Sequence, residues 1–243
     1  MEPARSRFLT AEWRHLVMLN YEIDPAVLAP FVPGGTELDA WEGKSFVSVV
    51  GFLFLHTRVC GVAIPFHVNF EEVNLRFYVR RKSEEGWRRA VVFIKELVPR
   101  WAIAWTARTF YNENYVALPM GHRLEAEPVG GGRSVTYEWT FRGRANRLAL
   151  STEGEGSEVR EGSNEEFITE HYWGYVRQRD GSTVEYKVEH PRWRVWPARE
   201  ADLDCNVEEI YGGGFVEALR GRPASAFLAD GSKVTVYRGI RLR

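Results

Sequence analysis

Apolar and polar residues alternate strictly over residues 72–80, and this segment constrains the possible fold more than any other feature of the sequence. Its apolar side chains are those of Val73, Leu75, Phe77 and Val79. Its polar side chains are those of Glu72, Asn74, Arg76, Tyr78 and Arg80. A period of two predicts a β-strand with one buried face. The polar face allows two interpretations: an outer face in contact with water, which is the commoner outcome, or the lining of a ligand site inside a closed barrel.

The segment that follows supplies further polar candidates. Val91–Ile94 is a short run with β-branched residues and predicts a buried strand. Beyond it, Trp101, Trp105 and Arg108 recur at helical spacing, which places Arg108 on an aromatic helix face. The guanidinium could simply stack there, a contact worth about 0.5–2 kcal/mol. If it is buried it needs a carboxylate partner, and Glu72 is the candidate.

Local signals place the shorter elements. Asp24 before Pro25 predicts a helix start, and Ser163 with Glu166 has the spacing of a capping box. Helices are therefore predicted at Asn164–Thr169 and across much of Asn206–Leu219. Asp180-Gly181 predicts a hairpin, and Asp230-Gly231 predicts a turn before a last strand, Lys233–Arg238. The count is about nine or ten strands and two or three short helices.

Composition excludes several classes of function. A formal net charge of −1 provides no overall field to recruit nucleic acid or anionic lipid. Cys60 and Cys205 are isolated, which favours a reducing compartment over a disulfide framework. The N-terminal region has no apolar leader, and no apolar run is long enough to span a bilayer. We therefore expect a cytoplasmic protein with no nucleic-acid or membrane partner, and the sequence leaves the oligomeric state open, a homo-oligomer included.

The histidines give little support for a metal or cofactor. The six of them are scattered without metal-ligand spacing, so we expect no metal and no cofactor, and a structural role for most of them. His171 and His190 are the exceptions. They flank the predicted hairpin, which can bring both to one rim, where a general acid–base role is open to them.

Several motifs together resemble a known family. The order is FEEVNLR at 70–76, Ala-Arg at 107–108 and Leu-Pro at 118–119, with FLTAEW, ITEHYWGY and VEHP elsewhere. This pattern resembles the uncharacterised bacterial YqjF-like family of the acetoacetate-decarboxylase-like superfamily, over most of the chain. The resemblance implies a single domain, 1–243, of the α+β class. Its fold would be a β-rich, acetoacetate-decarboxylase-like antiparallel β-barrel with a few short helices.

The resemblance also bears on chemistry. In acetoacetate decarboxylases the lysine after a proline forms a Schiff base, and a neighbouring cation lowers its pKa. Here Pro119 is followed by Met120, so we expect no acetoacetate decarboxylase activity. Glu72 matches the superfamily's site glutamate, and Arg108 matches the arginine before the Pro-Lys element.

These observations lead to an expected site and function. The cavity-lining candidates are Glu72, Asn74, Arg76, Arg108, Tyr111, Tyr115 and Tyr172. We expect the cavity to bind or convert a small polar carboxylate or carbonyl compound without the superfamily's Schiff-base lysine. Its guanidinium groups would orient an anionic ligand.

Two alternatives stay open. A Schiff-base lyase could use Lys95, because burial lowers the pKa of a lysine. The simpler interpretation of Lys95 is an exposed side chain at a strand end, paired with a neighbouring glutamate. The other alternative is a non-catalytic structural or regulatory protein, which a cavity filled by side chains would favour.

Overall fold

Strands dominate the computed structural model, which describes residues 5–99, 114–126 and 132–242. The strands are β1 (Arg7–Ile23), β2 (Glu37–Leu38), β3 (Ser45–Val59), β4 (Phe70–Ser83), β5 (Gly86–Val98), β6 (Tyr115–Ala117), β7 (Met120–Ala126), β8 (Arg133–Phe141), β9 (Arg144–Thr152), β10 (Ser157–Glu158), β11 (Trp173–Arg177), β12 (Thr183–Glu189), β13 (Arg194–Asp204), β14 (Ser225–Tyr237) and β15 (Ile240–Arg241). The helices are α1 (Pro25–Leu28), α2 (Asn164–Thr169), α3 (Val207–Tyr211) and α4 (Val216–Arg220), with 3-10 turns at Ala29–Phe31 and Gly213–Phe215. The strand count exceeds the expected nine or ten because several short strands extend the sheet. The predicted helix carrying Arg108 and Tyr111 lies outside the described residues.

The predicted helix starts are confirmed. The Asp24 carboxylate accepts a hydrogen bond of 2.8 Å from the Ala26 amide at the start of α1. The Ser163 hydroxyl accepts one of 3.2 Å from the Glu166 amide at the start of α2, and the Glu166 carboxylate accepts one from the Gly162 amide. The bonds to the Ala26 and Glu166 amides satisfy donors that the first helical turn leaves without a partner, and the bond to Gly162 ties the chain before α2 to the helix.

The two Asp-Gly pairs behave differently. Asp180-Gly181 forms the predicted hairpin between the antiparallel strands β11 and β12, with the Ser182 hydroxyl donating to the Asp180 carboxylate at 2.7 Å. The turn predicted at Asp230-Gly231 is wrong, because both residues lie inside the long strand β14. Gly231 has a φ of 75°, and a Cβ there would come within 2.0 Å of the Trp13 carbonyl oxygen. Close approach to β1, not a chain reversal, requires this glycine.

The strand pairings form a barrel-like circuit. They lead from β12 through β11, β5, β4, β3, β1 and β14, and β14 pairs again with β12. The contact between β12 and β14 and the parallel contact between β11 and β5 each consist of two residue pairs. The circuit is therefore barrel-like without being strictly closed, and β13, β9, β8 and β7 continue from β14 as a wing. The expected β-rich α+β architecture with a few short helices is confirmed.

Apolar side chains form one core outside the barrel and another inside it. Val73, Leu75 and Phe77 of β4 belong to the outer core, which β8, β9, α3 and α4 cover. The inner core contains Tyr78 of β4 and apolar side chains of β1 and β3. Because alternate residues of a strand face opposite sides, the polar face of β4 lies inside the barrel.

A glycine holds the hairpin of β11 and β12 against the inner wall. Gly174 pairs with Tyr186 across the two strands, and a Cβ at position 174 would lie 2.1 Å from Cζ of the Tyr186 ring. We expect Gly174→Ala to destabilise the fold by about 1–3 kcal/mol through overpacking. Urea denaturation measures the change in the free energy of unfolding. Gly121→Ala is the control, because nothing lies within 4 Å of a Cβ there, and equal effects of the two substitutions would contradict the prediction.

Candidate functional site

The barrel encloses a cavity of about 410 Å³. Most of its wall is apolar, and its aromatic side chains include Trp13, Phe52, Phe54, Phe70, Phe93, Trp173, Tyr186 and Trp193. They pack against one another, with the Phe54 and Phe70 rings stacked at 4.7 Å between centroids and Trp13 edge-on to Phe52 at 5.5 Å. The wall therefore suits the apolar part of a small organic molecule.

A polar cluster interrupts this aromatic wall. Glu72, Asn74 and Arg76 of β4 line the cavity and are only 2%, 1% and 9% exposed. Tyr115 of β6 lines it as well. Of the two interpretations of the β4 polar face, the structure has the barrel lining and not the surface in contact with water.

Glu72 is held by two neighbouring side chains. The Asn74 amide donates to Oε1 at 2.9 Å, and the Tyr115 hydroxyl donates to Oε2 at 3.5 Å. Burial raises the pKa of Glu72 to about 7, although both hydrogen bonds and the nearby charge of Arg76 act in the opposite direction. A carboxyl group with such a pKa can accept or release a proton near neutral pH, as a general acid or base must.

Arg76 rests on a platform fixed by buried hydrogen bonds. Its Nη2 donates to the Ile168 carbonyl at 3.1 Å, and its Cζ lies 5.7 Å from the centroid of the Tyr78 ring. The Ser48 hydroxyl donates to the Asn20 side-chain oxygen at 2.6 Å, so the Tyr78 hydroxyl, also 2.6 Å from Ser48, must donate to Ser48. This chain fixes the Tyr78 ring under the guanidinium.

Both histidines singled out from the sequence line the cavity. His171 follows α2 and packs on Tyr78 with 4.8 Å between ring centroids. Burial, with the charges of Arg89 and Arg76, holds its pKa well below the usual range, so the ring is neutral. His190 stacks on Trp193 at 4.2 Å, and burial lowers its pKa too.

A bulge in β5 decides which side chain of that strand enters the cavity. Leu75 pairs with Lys95 while the next residue of β4, Arg76, pairs with Phe93, so Ile94 is an extra residue. Phe93 and the buried Glu96 consequently line the cavity. The sequence analysis did not include Glu96 in the site, because alternation from Phe93 would have placed Lys95 there.

Lys95 turns away from the cavity. It is half-buried, its Nζ donates to the Ile210 carbonyl of α3, and burial lowers its pKa. The expected exposed lysine paired with a glutamate is therefore wrong, because the bulge directs the side chain to α3. The chain has five lysines, all within the described ranges, and none of them lines the cavity.

The remaining candidates are placed as follows. Tyr172 packs on His190 at 4.9 Å and its hydroxyl donates to Glu170, but it is not one of the cavity-lining residues. Met120, at the position matched to the superfamily lysine, packs against the outer core. Arg108 and Tyr111, and with them the pairing of Arg108 with Glu72, lie outside the described residues.

The described residues contain neither a metal-binding cluster nor a membrane-spanning helix. No group of three or more histidine, cysteine, aspartate or glutamate side chains in these ranges is arranged to hold a metal ion. Within the same ranges no helix has the length and apolar character needed to cross a membrane.

The raised pKa of the buried Glu72 predicts that the stability of the fold depends on pH. Unfolded Glu72 loses its proton near pH 4.5, whereas the folded group keeps it to about 7, so its contribution to stability is lost as the pH rises through this window. The loss amounts to up to about 3 kcal/mol. We expect wild type to lose this amount relative to Glu72→Gln between pH 4.5 and 7.5, measured by urea denaturation. Glu71→Gln, on the opposite face of β4, controls for removing a carboxylate, and parallel wild-type and Glu72→Gln curves would refute the assignment.

Comparison with known proteins identifies the family. A family model described as an uncharacterized conserved protein, DUF2071, matches residues 10–233. The chain is 24% identical over 201 residues to the uncharacterized protein YqjF of Bacillus subtilis (strain 168), which covers 82% of this chain and 78% of that protein.

Solved structures show the fold. An acetoacetate decarboxylase-like enzyme from Sphingomonas wittichii RW1 matches 100% of this chain and 97% of its own, with a TM-score of 0.68 and 14% identity. The enduracididine biosynthesis enzyme MppR, complexed with pyruvate, matches 99% of this chain and 92% of its own, with a TM-score of 0.69 and 12% identity. At these identities the likeness concerns the fold alone. The chain belongs to the DUF2071 family of uncharacterized conserved proteins and has the acetoacetate-decarboxylase-like fold.

Proposed function

We propose that this protein binds a small carboxylate or carbonyl compound in the barrel cavity, and that any conversion there proceeds without a Schiff-base lysine. The observation that carries the proposal is the buried cluster of Glu72, Asn74 and Arg76 in a largely apolar wall. Ligand sites of this kind combine a large apolar surface with a few convergent polar groups.

The volume and charge of the cavity support a small ligand with a polar head. A volume of about 410 Å³ lies within the range of a few hundred Å³ that is common for small-molecule sites. Arg76 supplies a positive charge for a carboxylate or a polarised carbonyl oxygen. MppR, which shares the fold, has been solved in complex with pyruvate, a compound of this class.

Glu72 is the group best suited to proton transfer. A carboxyl group whose pKa is near 7 can take a proton from the carbon beside a carbonyl and return it. Such a proton transfer requires no covalent bond to the protein, and a nearby guanidinium can stabilise the negative charge that develops on the ligand oxygen.

The two alternatives have less support. A purely structural protein would be expected to fill its interior, whereas this barrel leaves an open cavity. A lyase using Lys95 would need that amine beside the ligand, but its Nζ donates to the Ile210 carbonyl on the other side of β5.

The first test is direct binding. We expect 3-phenylpropanoate to quench the fluorescence of the cavity tryptophans Trp13, Trp173 and Trp193. Arg76→Met should weaken this binding at least tenfold, because a hydrogen bond to a charged group contributes about 1.5–3 kcal/mol. Arg80→Met is the matched control, since Arg80 lies on the same face of β4 but pairs with Glu37 at the surface. Equal affinities of wild type and Arg76→Met, with both variants folded by circular dichroism, would contradict the proposal.

The second test concerns the lysines. Incubation with phenylpyruvate and sodium borohydride should add no mass to the intact protein, because none of the five lysines lines the cavity. Mass spectrometry with peptide mapping detects a reduced Schiff base on any lysine. A stoichiometric adduct on Lys95 that is lost in Lys95→Ala would replace the proposal with the lyase alternative.

A further inference from the structure

The last strand of the wing, β7, has one edge that no described strand covers. The two ends of the strand order are β15 and β7. Only two residues form β15, whereas β7 has seven, Met120–Ala126, and pairs with β8 without a bulge. Native proteins commonly protect such an edge with lysine, proline or a bulge, and β7 contains none of these. Its outer edge is therefore suited to pairing with a strand of another chain.

The hydrogen bonds to β8 show which backbone groups of β7 point outward. The Thr140 amide donates to the Pro119 carbonyl at 3.0 Å, and these two residues lie opposite each other in the register that pairs Met120 with Trp139. Hydrogen-bonded and non-hydrogen-bonded pairs alternate along antiparallel strands. Residues 121, 123 and 125 therefore bond to β8, and the N–H and C=O groups of His122 and Leu124 point away from it.

The exposed side chains of this edge are complementary to a second copy of the same strand. Leu124 is 41% exposed, and its neighbours Arg123 and Glu125 are exposed as well. If two copies of β7 pair antiparallel with Leu124 at the two-fold axis, Arg123 lies opposite Glu125 of the partner subunit, and the symmetry repeats this pair. Opposite charges across a strand pair are stabilising and like charges are destabilising. A register centred on Arg123 is therefore disfavoured, because it places the two arginines opposite each other.

We propose that the chain forms a homodimer through β7, as an antiparallel strand pair centred on Leu124 that joins the two wings into one continuous sheet. The outward N–H and C=O groups of His122 and Leu124 bond across this pair. Leu124 lies opposite Val135, which belongs to the outer core, so the two Leu124 side chains extend that core across the two-fold axis. No residue of β7 lines the cavity, so the inference is independent of the proposed function.

The test is the oligomeric state of the full chain, measured by sedimentation velocity from about 1 µM to about 200 µM, where weak specific complexes dissociate. Wild type should show a concentration-dependent dimer. Arg123→Glu and Glu125→Arg should each weaken it at least about tenfold, because either change sets like charges opposite each other at two symmetric positions. The double variant restores complementary charges, so its affinity should return to within about threefold of wild type.

The matched control is Arg147→Glu. Arg147 makes a comparable surface ion pair with Asp202 at 2.6 Å, but it lies on β9, away from the edge, so the control should leave the dimer unchanged. Circular dichroism checks that each variant is folded. If a single charge variant does not fold, Leu124→Lys replaces it, because it sets two ammonium groups against each other at the two-fold axis and should weaken the dimer.

Two results would overturn the proposal. A wild-type chain that stays monomeric over the whole concentration range would leave this edge to a strand of a different protein. A dimer that is insensitive to Arg123→Glu, Glu125→Arg and Leu124→Lys, or that Arg147→Glu weakens equally, would form through another surface of the molecule.

Discussion

Both faces of β4 are buried, and the rest of the structure depends on this constraint. The apolar face needs a second layer, which β8, β9, α3 and α4 provide. The polar face takes Glu72, Asn74 and Arg76 out of water, which is unfavourable unless these groups find partners. The Asn74–Glu72 hydrogen bond and the Arg76–Ile168 hydrogen bond supply part of that compensation. Asn74 Oδ1 and Arg76 Nε of this face make no hydrogen bond to the described residues, and both side chains line the cavity.

The bulge in β5 has the largest consequence for chemistry. A regular strand would direct Lys95 beside Phe93 into the barrel and produce a buried amine, the group that Schiff-base enzymes use. The extra residue Ile94 reverses this order, so Glu96 enters and Lys95 reaches α3. One extra residue in β5 therefore places a carboxylate where a regular strand would place an amine, and a shared fold does not by itself specify the chemistry of a site.

The sequence predicted what depends on near neighbours. Alternation identified β4 and assigned Glu72, Asn74 and Arg76 to one face, and side-chain caps located α1 and α2. The errors and omissions involve contacts between distant segments. Asp230-Gly231 has the composition of a turn, but its pairing with β1 keeps both residues inside the long strand β14. Glu96 reaches the cavity through a bulge that has no local signal, and the orientation of His171 depends on its packing against Tyr78.

Glu72 and His171 oppose each other in their effect on stability. The raised pKa of Glu72 makes its contribution fall as the pH rises from 4.5 to about 7. The lowered pKa of His171 acts in the opposite direction, because the unfolded ring binds a proton below about pH 6.5 and the buried ring does not. Between about pH 4.5 and 6.5 the two groups change the free energy of unfolding in opposite directions. The pH dependence of wild-type stability is therefore smaller than that of either group alone, although the burial of each is unfavourable. The fold thus accepts two costly groups on one cavity wall, a neutral imidazole and a carboxyl group poised to titrate near neutral pH.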